Sequence, residues 1–457
     1  MIPYVNSGVE TVELLLEFLR RNPQWELLWR RHPLQLRWRG RWHPVREIRP
    51  LGTALELLLQ SGRRIRLPWD PSREAHRQAA ATSLTGTIQA LWPQARVRRL
   101  SAREVGPRRY PAFLCRAILD VPGTGRRRER WKLLALSEQA ELDPAWLAGR
   151  LTVFWDRPPE ADRAVLLIPS NWNDYIIEIL DRLNFPVECW RRTAGSPTNA
   201  VRIFPRDRTD LHCRSPYTVL PMEGGPPPEL AAIARDRPTL DLLYRKSRWE
   251  LSVLGLPVLW VEPEGLAYDH FRPRLLAGDW EGWEAHLAQI LSERTYPSPN
   301  PRSPYYRFAP ERWLEAQLIR NRHSIRPDLQ DAFYCQVPTY VEGCRKVIDL
   351  LAVTRTGRLT VVEIKAHKDG VMFFQGVEYW QRVYDHLRHG DFPAAGYFPG
   401  IELSQEPPLL YLVSPWFEFH RDLALYRSYV SADVEIRCIG LGGDWRRRLT
   451  IVRRFEL

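Results

Sequence analysis

The sequence predicts a multidomain chain of α/β and α+β units that ends in an α/β core, a mixed sheet flanked by helices. Three observations carry this. The chain has 457 residues, 44% hydrophobic and 11% aromatic, enough apolar surface to bury more than one core. Helix-period and strand-period segments alternate after residue 301, the pattern of an α/β layer. Proline-rich breaks, PMEGGPPPEL at 221 to 230 and YPSPNPRSPYY at 296 to 306, divide what precedes.

Taken in order, residues 5 to 31 read as a helical start. LQLRWRGRWHPV and ALELLLQSGRRIRLPW read as hairpins, the second turned at Ser61-Gly62. A helix over 71 to 92 and strands near 96, 111 and 131 complete an α+β unit over residues 1–150. RLTVFWD and AVLLIPS as strands, NDYIIEILDRL as a helix and PVECWRR as a strand give a βαβ-like order, a small α/β unit over 151–220. Residues 221–300 are expected to connect this to the last domain, 301–457. There APERWLEAQLIRN reads as an amphipathic helix, 347–366 as a hairpin and GVMFFQGVEYWQRVYDHL as a helix. LLYLVS reads as a strand, WFEFHRDLALYRSYV as a helix, and 434–439 and 449–455 as two further strands.

The hairpin carries the chemistry. In VIDLLAVTRTGRLTVVEIKA, Val347 to Ala366, an aspartate, a glutamate and a lysine interrupt apolar runs suited to the middle of a sheet. A charge in a dry strand costs several kcal/mol unless it is paired or holds a metal. The period of two places Val361, Glu363 and Lys365 on one face of the second strand. For Asp349 to share that face, the partner numbers across the hairpin must sum to an even value, which a plain two-residue Thr356-Gly357 turn does not give. A three-residue loop with a bulge does, and Gly357 suits the left-handed position such a loop requires. Asp349 then lies opposite or diagonal to Glu363. Two converging carboxylates suit a hard cation such as Mg²⁺ or Mn²⁺, and a neighbouring lysine can orient or activate water, or stabilise charge on a phosphoryl group.

The pattern ID-x13-E-I-K on a hairpin, followed by a helix with Gln375 and Tyr379 four residues apart, resembles the PD-(D/E)xK nuclease superfamily and its restriction-endonuclease-like fold. The resemblance covers residues 301–457. Asp349 matches the metal-binding aspartate, Glu363 the second acid and Lys365 the lysine; Ile348 stands where the superfamily name has proline. It implies a metal-dependent phosphodiesterase, an endonuclease with DNA favoured over RNA, with Asp349 and Glu363 holding Mg²⁺ or Mn²⁺. It further implies a supporting role for Gln375 and Tyr379, and a glutamate from the preceding helix near the ion, Glu315 in preference to Glu311. His420 is a candidate phosphate contact. RNA cleavage under the control of a ligand bound by the 151–220 unit, and a non-catalytic nucleic-acid-binding scaffold, are the alternatives.

The charge balance agrees with a polyanionic partner. Lys and Arg number 66 against 54 Asp and Glu, a net charge of +12, and 19 tryptophans and 17 tyrosines offer stacking surfaces. Arg37, Arg39 and Arg41 alternate with Trp38 and Trp42 along a predicted hairpin, arginines on one face and tryptophans on the other, and Arg126, Arg127 and Arg128 cluster with Arg130 in a Gly-rich turn. Both are candidate phosphate grips, against the plainer reading of a solvated surface. The six cysteines lie at 115, 189, 213, 335, 344 and 438, with no C-x2-C pair, which argues against a structural zinc and for free thiols in a reducing cytoplasm. No apolar run approaches the length of a membrane span, and MIPYVNSGVETVELLLEFLRRNP lacks the features of an export signal, so a cytoplasmic protein with no membrane partner is expected. Homo-oligomerisation stays open.

Overall fold

The computed structural model describes residues 26–457, apart from 29–34, 39–40, 52–53, 69–70, 106–111, 124–126, 137–142, 171–178, 181, 194–195, 204–217, 220–224, 246–247 and 342–343. The described residues form a mixed α/β structure with four sheets.

The first sheet is an antiparallel meander of β1 (Glu26–Leu28), β2 (Gln35–Trp38), β3 (Arg41–Leu51), β4 (Ala54–Leu59) and β5 (Arg64–Pro68). Both predicted hairpins are here, and Gly62, in the turn between β4 and β5, has φ +80°. The helical start predicted over 5 to 31 lies mostly outside the described residues. Its described part, Glu26–Leu28, is a strand.

Helix α1 (Pro71–Leu91) leads into a six-stranded sheet of β6 (Arg96–Val105), β7 (Ala112–Pro122), β8 (Arg128–Leu136), β9 (Arg163–Ile168), β10 (Val187–Thr193) and β11 (Ser196–Ile203). Helix α2 (Pro144–Asp156) joins β8 to β9. RLTVFWD, expected as a strand, is therefore the end of a helix. Asp143 caps that helix by accepting from Trp146 N at 3.1 Å, Pro144 supplies the first turn, and Leu147, Ala148 and Leu151 are buried at helical spacing. The β-branched stretch was weaker than this capping signal. The sheet also runs across residue 150, since β8 and β9 pair in parallel, so one body spans the place where a boundary was expected.

Residues 221–300 do more than connect. They hold helix α3 (Pro228–Asp236), helix α4 (Trp280–Glu293) and a five-stranded antiparallel meander between them. Its strands are β13 (Asp241–Arg245), β14 (Arg248–Val253), β15 (Leu256–Glu262), β16 (Gly265–Tyr268) and β17 (Arg274–Leu275), with Trp283, Leu287 and Ile290 of α4 in their core. The short β12 (Thr218–Val219) pairs with the edge of the last sheet.

That last sheet follows helix α5 (Pro310–Arg320) and contains β18 (Leu329–Val341), β19 (Cys344–Thr354), β20 (Leu359–Ile364), β21 (Leu409–Pro415), β22 (Ile436–Leu441) and β23 (Ile451–Glu456) in that order. Helix α6 (Met372–His389) joins β20 to β21. WFEFHRDLALYRSYV, expected as one helix, is a short 3-10 turn at Trp416–Glu418 and a helix at Leu423–Ser428, because Trp416 and Phe419 turn aside to pack on Phe455.

The two large sheets have the same plan. In each, three antiparallel strands are followed by a helix, two strands parallel to the third, and a final antiparallel strand. Leu84 and Ile88 of α1 cover the outer face of one sheet, Trp313, Leu314 and Leu318 of α5 that of the other. The inner faces share one apolar cluster in which α2 and α6 lie between the sheets. A Cβ on Gly149 of α2 would stand 3.1 Å from the Phe374 ring of α6, so glycine permits that approach.

Candidate active site

The hairpin of β19 and β20 has the loop the charge pattern required. Pairing runs Leu350↔Val362, Leu351↔Val361, Ala352↔Thr360 and Val353↔Leu359, and the same register carried one place further sets Asp349 opposite Glu363. Gly357 closes the loop with φ +80°, and its N–H donates to Thr354 O at 3.0 Å. In place of the next ladder bond, Ile364 N donates to Asp349 Oδ2 at 3.0 Å.

The three ionisable groups meet. Glu363 is fully buried, Lys365 Nζ lies 2.5 Å from Glu363 Oε1, and Asp349 is near enough for its charge to act on Glu363. Burial raises the Asp349 pKa to about 6, with the nearby Glu315 adding to the rise and Lys365 and the Ile364 N–H opposing it. Burial and the Asp349 charge hold Glu363 well above the ordinary glutamate range. At neutral pH the two carboxyls therefore tend to share a proton. Burial opposes the Lys365 ammonium, but Glu363 and Asp349 outweigh it, so the lysine stays charged.

Helix α6 supplies one wall. Gln375 Nε2 donates to Tyr379 Oη at 2.8 Å, which makes the two residues one unit on one helix face. Burial, and then the Glu363 charge, keeps the Tyr379 phenol neutral. Beside it Lys346 of β19 bonds Asp143, the α2 cap, and lies 3.3 Å from Glu378, which holds Arg382 at 3.0 Å. This charge network ties α2, β19 and α6 together.

Glu315 arrives from the other face of the sheet. Its Oε1 pairs with Arg245 and its Oε2 accepts from Gln336 Nε2 at 3.0 Å; Glu315 and Arg245 are each 1% exposed. Gln336 also reaches Asp349 Oδ1 at 3.3 Å. Gln336 and Arg245 were missed in the sequence, although a lone glutamine within the apolar strand FYCQVP was a signal.

Of the candidate grips, Arg37 and Arg41 lie on β2 and β3, where the register sets Arg37 against Trp42 and Trp38 against Arg41. Arg39 and Arg126 lie outside the described residues. Arg127 and Arg128 are exposed, and Arg127 binds Asp162 at 2.8 Å. His420 lines a cavity of about 240 Å³ with Trp146, Arg150, Gly370 and Tyr426, apart from the carboxylates. Cys115, Cys189, Cys335 and Cys438 are buried and form no disulfide.

The fit to a divalent cation has two sides. Glu363 Oε2 is buried with no hydrogen-bond partner, and a cation bound there would satisfy it. Among the described residues no group of three or more His, Cys, Asp or Glu is gathered to hold a metal, in keeping with both Glu315 oxygens being engaged. The residues fit an ion held by two carboxylates and otherwise by water or phosphate, the usual mode for Mg²⁺.

The chain matches no family model, and comparison with curated proteins gives no match. No helix among the described residues is long and apolar enough to cross a membrane.

Proposed function

We propose that the chain is a metal-dependent nuclease hydrolysing phosphodiester bonds, DNA before RNA, with the segments ahead of residue 301 contributing substrate grip. The observation that carries this is the meeting of Asp349, Glu363 and Lys365 around an unsatisfied Glu363 oxygen. The sequence of α5, the β18–β20 strands, α6 and β21–β23 supports it, being the order implied by the resemblance to PD-(D/E)xK nucleases.

In this reading Asp349 and Glu363 hold Mg²⁺ or Mn²⁺. When bound, such a cation supplies Lewis-acid charge that polarises a phosphoryl oxygen and acidifies water. Lys365, charged and held at Glu363, stabilises negative charge developing on the phosphoryl group; its raised pKa suits that role better than proton abstraction. Gln375 and Tyr379 position the wall against which the strand lies. Glu315, through Gln336, orients Asp349 and is a positioning residue.

The test is incubation of wild type and Glu363→Ala with circular single-stranded, circular duplex and linear DNA and with RNA, in Mg²⁺, Mn²⁺ or EDTA. Cutting of circles by wild type alone, abolished by EDTA, supports an endonuclease. Equal cutting by the variant removes the site. Binding without cutting in every cation assigns the chain to the class of nucleic-acid-binding scaffolds.

A further inference from the structure

The two sheets of common plan differ in what occupies corresponding places. The fourth residue of β21, Leu412, pairs with Glu363, and Asp349 is opposite Glu363 by the register. The fourth residue of β9, Leu166, pairs with Leu134, and Leu134 is paired across the hairpin with Arg116. Leu134 and Leu136 therefore stand where Glu363 and Lys365 stand in the other sheet, and Arg116 stands where Asp349 does. The six-stranded sheet has no acid at these places. Its sign is reversed.

Around Arg116 the chain forms a concavity of about 170 Å³ lined by Arg99, Ser101, Lys132, Phe154 and Arg157. Lys132 is 1% exposed, and its ammonium donates to Trp155 O at 2.6 Å and to Arg157 O, the exposed carbonyl end of α2, which leaves one of its three protons for a further acceptor. The Arg116 guanidinium lies 5.6 Å above the Phe154 ring, and its Nε is buried with no hydrogen-bond partner. Burial and the charges of Arg150, Arg157 and Arg103 all disfavour its protonated form. Asp156, the acid nearest Lys132 in effect, accepts from Tyr429 Oη at 3.0 Å. Clustered cations around a hollow, one with an orphaned donor, call for an anion with several acceptor oxygens.

We propose that this pocket binds a phosphate group, with Arg116 and Lys132 as its inner ligands and Arg99 and Arg157 at its rim. The phosphate belongs either to a nucleic-acid strand or to a free nucleotide, and the chemistry of recognition is the same for both. The site goes beyond the nuclease reading, because it draws on none of the carboxylate residues and stands whether or not those cut.

The experiment is calorimetric titration of the full-length protein in EDTA, with adenosine 5′-monophosphate as one ligand and a 5′-phosphorylated single-stranded oligonucleotide as the other. Arg116→Gln and the double variant Arg99→Ala/Arg157→Ala are compared with wild type; the rim pair is exposed, so its truncation leaves the core intact. Affinity for at least one ligand should fall about tenfold or more in both variants. A fall seen with the nucleotide assigns the site to free nucleotides, and one confined to the oligonucleotide assigns it to strand phosphates. Affinities unchanged within about twofold for both ligands in the rim variant, which keeps its fold, overturn the proposal.

Discussion

Gln336 and Asp349 face each other across β18 and β19, and the glutamine amide binds Asp349 Oδ1 at 3.3 Å and Glu315 Oε2 at 3.0 Å. At this pair both strands change sides. Cys335 and Leu350 belong to the cluster under α5, while Val337 and Ile348, one place beyond the pair on each strand, belong to the cluster around α6. Gln336 accommodates the switch with φ +53°, a left-handed conformation rare for a residue with a Cβ. The result is a polar line, buried at Arg245 and Glu315 and half-buried at Gln336 and Asp349, that ends at the Ile364 N–H and crosses from one face of the sheet to the other.

Substitution at Gln336 separates backbone strain from hydrogen bonding. Gln336→Ala keeps the unfavourable φ and leaves Glu315 Oε2 unsatisfied, a loss of about 1–3 kcal/mol. Gln336→Gly loses the same bonds but relieves the backbone, so it should be more stable than the alanine variant by about 1 kcal/mol. Urea denaturation of both variants reads the difference, and an alanine variant as stable as the glycine one removes the strain argument.

Glu315 distinguishes a positioning role from a metal ligand. Removing it leaves the buried Arg245 with the longer 3.3 Å contact to Glu250, so Glu315→Ala should destabilise by about 1–3 kcal/mol. Glu315→Gln keeps the shape of the side chain and one acceptor, its carbonyl oxygen, for Arg245, and should retain most of the Mn²⁺ affinity of wild type while Glu363→Gln loses it. Calorimetric Mn²⁺ titration of the two glutamine variants decides, and equal loss in both makes Glu315 a ligand.

Much of this site was legible in the sequence, for a physical reason. A period of two has few solutions once charged residues must share a face, so the ID…EIK run together with Gly357 determined the loop type and the register. The helices carrying Glu315 and Gln375 also followed from apolar spacing. What stayed hidden depended on contacts distant in sequence. Arg245 reaches Glu315 across 70 positions, and the pairing of β8 with β9 across the intervening α2 carries no local signature. The stretch RLTVFWD has β-branched residues typical of a strand, yet it is helical because the Asp143-Pro144 start precedes it.

Lys365 should matter to rate more than to binding. Its ammonium is fixed at Glu363 Oε1, so under the proposed nuclease reading Lys365→Met removes the positive charge that would stabilise the phosphoryl group and should lower kcat by about a hundredfold or more. KM for a long strand, set by contacts elsewhere, should move by less than about threefold. Steady-state cleavage kinetics give both values, and a change confined to KM refutes the assignment.

The buried acid pair also fixes how stability varies with pH in the absence of metal. Asp349 has an ordinary pKa of 3.8 and a folded value of about 6, so the folded chain holds its proton more tightly than the unfolded chain does. Below about pH 4 both states are protonated and the buried carboxyl carries no penalty. As pH rises from about 4 to about 6 the unfolded chain gives up its proton first, and stability falls. At about 1.4 kcal/mol per pH unit the gap amounts to about 3 kcal/mol, and Glu363, shifted in the same direction, adds to it. Lys365 titrates far above this window and does not offset the fall. Asp349→Asn removes the titrating group, so in EDTA it should be more stable than wild type at pH 7.5 and lose that advantage toward pH 4. Mg²⁺ or Mn²⁺, by favouring the ionised pair, should raise the melting temperature of wild type at pH 7.5 and leave Asp349→Asn nearly unmoved. Paired denaturation series across this range measure both effects, and a stability difference between the two proteins that does not change with pH would refute a proton held at Asp349.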